Sequence, residues 1–151
     1  MATTSVTRRI TAPADVVYRA LLDPAAVQRW MVPDGMTSEV HTFDAREGGG
    51  FHVTLTYDDP DRSGKTEGAS DSFHGRFSRL EPGRLVEQVV EFDTDDPGVR
   101  GEMTLTYELT EIDGATVVVG THRNLPPGVR ADDNEVGWNM SLAKLAALVE
   151  G

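Results

Sequence analysis

Between Phe51 and Tyr57 the chain alternates strictly: Phe51, Val53, Leu55 and Tyr57 are apolar, and His52, Thr54 and Thr56 between them are polar. A period of two predicts a strand with one face on a core and the other in solvent. The alternation returns where Met103, Leu105, Tyr107 and Leu109 stand between Glu102, Thr104, Thr106 and Glu108. Less regular versions predict strands over Thr4 to Ile10, Met36 to Ala45, Ser72 to Leu80, Arg84 to Phe92 and Ala115 to Arg123. Turn residues separate them. Glu47-Gly48-Gly49-Gly50 reads as a turn or bulge, Asp58 to Asp71 as a polar hairpin loop, and Glu81-Pro82-Gly83 and Ile112-Asp113-Gly114 as tight turns. Consecutive hairpins of this kind build an antiparallel sheet.

Twice the period becomes helical. Pro13 pre-sets the dihedral for a first helical turn, and Asp15 puts negative charge at that helix's positive end. Asp23-Pro24 stops it, and Pro24 opens a second short helix that carries Val27 and ends near Trp30. From about Asp132 to Glu150, Trp138, Leu142, Leu145 and Val149 share one stripe, flanked by Ser141 and Leu148. Gly137 lowers helix propensity there and asks for a reason, such as close approach of a neighbouring backbone. Opposite the stripe, Val136, Met140, Ala143 and Ala147 make an outer face apolar enough for a homodimer or protein partner contact. A strand, two short helices meeting at a proline, several strands and a long last helix together suggest a sheet wrapped around a helix, with a hollow between them.

Charge narrows the partners. Against 25 Asp and Glu stand 14 Lys and Arg, a formal net charge of −11. Phosphates are repelled by such a surface, and no basic stripe offsets it, so nucleic acid is not expected. The acids cluster in predicted turns, Asp58-Asp59-Pro60-Asp61 and Asp93-Thr94-Asp95-Asp96-Pro97, without the spacing of an EF-hand loop. There is no cysteine, which excludes disulfides, thiolate metal sites and cysteine nucleophiles. No apolar run reaches the length of a signal peptide or membrane span, so a cytoplasmic location is expected. At 151 residues the whole chain, 1–151, is expected to form one domain.

Candidate chemistry is sparse. The glycine run lacks the lysine and hydroxyl of a phosphate loop and precedes a strand. No nucleophile elbow or triad motif is visible, so catalysis is not indicated. His41, His52 and His74 fall on the solvent phase of their strands, and no histidine pair has metal-ligand spacing. No metal or cofactor is therefore expected. His122 is in phase with Val118 and Gly120, two inward positions. It reads either as a hydrogen-bonded histidine at the rim of the core or as a polar handle in a ligand pocket. Gln88, in phase with Val86, Val90 and Phe92, carries an amide into the interior, where it needs a partner.

Three segments carry a resemblance. They are Ile10 to Pro24 with Trp30; Gly75-Arg76-Phe77 running on through Leu80 to Val86; and Thr116 to His122 with Gly137-Trp138 and Leu142 to Leu145. Together they resemble the START-like (SRPBCC) helix-grip superfamily, and within it the activator of heat-shock protein 90 ATPase-like family. The resemblance implies an α+β fold: a curved antiparallel sheet around a long C-terminal helix, with two short helices after the first strand. It also implies a cavity between sheet and helix for a hydrophobic or amphipathic small molecule. In that frame Trp30, Phe51, Phe77, Phe92, Met103, Leu105, Tyr107, Trp138 and Leu142 would form the lining, with Gln88 and His122 as polar handles. By analogy with cyclase and hydrolase relatives, any acid–base role would fall to His122 with Tyr107 or Gln88. The alternative is a protein-interaction or stress-response module without a physiological small ligand.

Overall fold

The structure is a computed structural model, and it describes residues 2–59, 61–62 and 68–150. Strand β1 (Ala2–Ile10) is followed by helices α1 (Ala14–Leu22) and α2 (Pro24–Trp30). Then come β2 (Met36–Phe43), β3 (Gly50–Tyr57), β4 (Ser70–Glu81), β5 (Leu85–Phe92), β6 (Met103–Ile112), β7 (Ala115–Leu125) and α3 (Ala131–Glu150). The seven strands form one antiparallel sheet in the order β1-β7-β6-β5-β4-β3-β2. It is a curved sheet that grips α3, the helix-grip α+β architecture.

Local chemistry explains the helix junction. Pro13 is the cap of α1, with φ −64° and ψ 154°, and is not inside its first turn. No side chain of α1's own turn caps it; Glu111, from the β6–β7 hairpin, accepts from the Ala14 N–H at 2.7 Å. Asp23 ends α1 in extended geometry and its Oδ1 accepts from the Ala25 N–H at 3.0 Å, with Pro24 at the first position of α2.

Strand limits move by one or two residues from the expected ones. β1 begins at Ala2, β2 stops at Phe43 and β7 runs on to Leu125, while β4 begins at Ser70, which shortens the expected loop from Asp58 to Asp71. Part of that loop lies outside the described residues. The sheet's packed end holds Ile10, Val17, Leu21, Trp30, Leu142 and Leu145, all buried. Phe77 and Phe51 stack with Phe43 beside them, ring centroids 5.3 to 6.1 Å apart. Among the described residues no helix is long and apolar enough to cross a membrane.

Candidate functional site: a cavity between sheet and C-terminal helix

Register brings the inward polar residues into one row. Phe77 on β4 pairs with Gln88 on β5, Gln88 with Leu105 on β6, Leu105 with His122 on β7, and His122 with Thr4 on β1. The first half of α3 crosses above this row and leaves a cavity of about 540 Å³, within the usual size of small-molecule sites. Its floor includes Gln88, Phe92, Met103, Leu105 and Tyr107; Trp138 and His122 close one side. Met31, Pro33, Asp34 and Met36, on the stretch from α2 into β2, close the other, facing Met140 on α3. That stretch is tied down: Lys144 donates to the Val32 carbonyl at 2.7 Å and pairs with Asp34 at 3.1 Å.

Seven of the residues singled out from the sequence, Gln88, Phe92, Met103, Leu105, Tyr107, His122 and Trp138, stand on the cavity wall. The other four, Trp30, Phe51, Phe77 and Leu142, do not. They share the inward phase, but the short helices and the second half of α3 fill the space above them with packed core. The Trp30 indole N–H donates to the Ala20 carbonyl at 3.0 Å, which holds it against α1. Residues outside the expected lining complete the wall: Leu55, on the inward phase of β3, and Asp71 and Phe73 on β4. Val136 and Met140 also belong to it, and the Met140 sulfur accepts from the Asp34 N–H at 3.4 Å. Half of the apolar outer face of the last helix is therefore cavity rim.

Trp138 can lie flat on the sheet because residue 120 is glycine. A Cβ there would stand 2.5 Å from the indole Cζ2. The indole meets Tyr107 edge to face at 5.8 Å and His122 at 5.7 Å, while Tyr107 meets Trp30 in the same manner at 6.2 Å. Asn134, one turn before Trp138 on α3, contacts His122 Nδ1 at 3.1 Å and accepts from the Thr4 hydroxyl at 2.6 Å.

Burial lowers the His122 pKa to about 4, so its ring is neutral at physiological pH. Burial also raises the Tyr107 hydroxyl well above the ordinary phenol range. Two buried side-chain polar atoms of cavity-wall residues, Gln88 Oε1 and His122 Nε2, lack a protein partner, while the Trp138 Nε1–H is directed at the Tyr107 hydroxyl. Such a concentration of unpaired polar atoms is unusual in a folded interior.

The outer face of the sheet carries a different group. His41 and His52 lie ring to ring at 4.8 Å, His52 bonds Asp93 at 2.7 Å, and His74 bonds both Asp93 and Glu91. These contacts lie on half-buried or exposed side chains. No group of three or more His, Asp or Glu among the described residues is arranged to hold a metal.

Comparison with known proteins settles the family. The model of the family described as activator of Hsp90 ATPase homolog 1-like protein matches residues 11–150. The chain belongs to that family. A crystal structure of a protein from Chromobacterium violaceum is 32% identical, with 99% of this chain and 97% of that one covered and a TM-score of 0.88. An AHSA1-like protein from Aeromonas hydrophila, 20% identical over 99% of this chain and 92% of that one, has a TM-score of 0.74. A protein from Arthrobacter aurescens, 17% identical with 97% of this chain and 85% of that one covered, has a TM-score of 0.80. These last two show the shared fold alone. No curated protein matches the chain. Membership of this START-like family makes the chain a ligand-binding or regulatory domain in general terms.

Proposed function

We propose that the protein binds a hydrophobic or amphipathic small molecule in the cavity between the sheet and α3. The observation that carries this reading is the coincidence of about 540 Å³ of space with two buried, unpartnered polar atoms on its wall residues, Gln88 Oε1 and His122 Nε2. An apolar lining supplies the affinity for such a guest, and a few polar groups fix its orientation. Gln88, Phe92, Met103, Leu105, Tyr107, His122 and Trp138 are its contacts in this reading, and the setting is the cytoplasm.

A protein-interaction role of the kind named in the family's description is the competing reading, supported by that description. Native mass spectrometry of protein purified from its own host separates the two. A small molecule of constant mass, lost on denaturation, supports the ligand reading. A stoichiometric protein partner with an unoccupied cavity overturns it. Titration with a neutral fluorophore that brightens in apolar surroundings gives a second check: saturable one-to-one binding is expected.

A further inference from the structure

The two unpartnered atoms, Gln88 Oε1 and His122 Nε2, differ in kind, and the difference selects a guest. Asn134 accepts from the Thr4 hydroxyl through Oδ1 and presents Nδ2 to His122 Nδ1 at 3.1 Å. An amide nitrogen donates, so His122 Nδ1 accepts, and the neutral imidazole carries its proton on Nε2. That Nε2–H has no protein partner. The Trp138 Nε1–H, a donor only, is directed at the Tyr107 hydroxyl. The His122 and Trp138 rings meet edge to face at 5.7 Å. Gln88 Oε1 is an acceptor, in the same cross-sheet row as His122 with Leu105 between them, and Gln88 is 2% exposed.

We propose that the cavity selects a neutral apolar molecule bearing a carbonyl oxygen, which accepts from His122 Nε2–H, over a hydrocarbon or a carboxylate of the same shape. The inference rests on the reading of the cavity as a ligand site and names the chemistry it takes. A hydrocarbon leaves that donor buried and unpaired, which costs affinity. A carboxylate would give up its hydration to face neutral donors, in a chain of net charge −11. Among the described wall residues Arg130 is paired with Asp132 at 3.1 Å and Asp133 at 3.7 Å, and Arg62 lies over the Tyr57 ring at 4.4 Å. Gln88 Oε1 then serves a hydroxyl or N–H elsewhere on the guest.

Three naphthalenes of matched shape test this: acetylnaphthalene, its ethyl isostere and naphthoate, each titrated into ¹⁵N-labelled protein at pH 7 and followed by amide shifts. The ketone is expected to bind at least tenfold more tightly than either of the others. His122→Phe should weaken the ketone by about tenfold and the ethyl compound far less. In the free wild type, imidazole ¹⁵N shifts should show His122 protonated at Nε2. This last measurement stands even where a variant fails to fold. Equal binding of ketone and ethyl compound overturns the selection but leaves the cavity a ligand site, as does tighter binding of naphthoate. A His122 protonated at Nδ1 overturns the donor assignment. Failure of all three compounds to bind overturns both the selection and the ligand-site reading.

Discussion

At His122, a half-buried imidazole is held neutral by its surroundings, and this ties folding to pH. The unfolded chain takes up a proton near the ordinary histidine value of about 6.5, the folded chain only near 4. Stability is therefore complete above about pH 6.5 and falls as the pH drops toward 4. The loss should be roughly 2–3 kcal/mol for a shift of this size, discounted for partial solvation. His74 works in the opposite sense. Its hydrogen bond to Asp93 raises its pKa, so its contribution is full below about pH 6.5 and fades as the pH rises through the raised value. With side chains 49% and 32% exposed, that pair is worth under about 1 kcal/mol. Denaturation midpoints between pH 7 and 4 should fall steeply for wild type and clearly less for His122→Gln. A second residue-scale prediction concerns Gly120. An alanine methyl there collides with the Trp138 indole, so Gly120→Ala should cost about 1–3 kcal/mol and push the ring into the cavity, seen as lost probe binding. The inward phase of His122 is legible in the strand alternation. Its partner Asn134 is not, because the contact joins a strand to a helix across a loop whose path no local pattern specifies.

Helices and strands were legible to the extent that periodicity sets a face. It set which side of each strand turns inward, but not which inward residues are covered by helix and which face the cavity. Phe77 and Met103 show the limit. Both are inward and buried, yet Phe77 sits in a ring cluster with Phe43 and Phe51 while Met103 lines the cavity. Phe77→Ala should cost about 3–5 kcal/mol, and Met103→Ala at or below about 2 kcal/mol, because its side chain lacks packed neighbours on the cavity side. Equal costs by denaturant unfolding would mean that the cavity is filled core. On α3, Gly137 invited a search for a tight contact. The structure gives an ordinary one: an added Cβ would lie 3.6 Å from the Pro33 ring. Gly137→Ala should therefore stabilise the protein by about 0.5–1 kcal/mol through helix propensity, measured as a raised denaturation midpoint.

For the molecule as a whole, element order carried most of the fold. The two short helices meeting at Asp23-Pro24, the run of hairpins and the long last helix have few compact solutions, and the family match agrees with the one found. The cavity was the less legible part. Its volume depends on how far α3 stands off the sheet, which is set by the Trp138–Gly120 contact and by Lys144 holding the stretch after α2. The edge-to-face ladder Trp30–Tyr107–Trp138–His122 runs from the packed end of the molecule to this cavity. Its two indoles, the only ones in the chain, sit in unlike surroundings: Trp30 is 1% exposed with its N–H on the Ala20 carbonyl, and Trp138 borders the cavity beside Tyr107 and His122. The protein thus contains a built-in optical reference and a built-in optical sensor. On occupation of the cavity, Trp138 emission should change in wavelength and intensity while the Trp30 component stays fixed. Trp138→Phe should leave a chain that fluoresces but no longer reports what enters it.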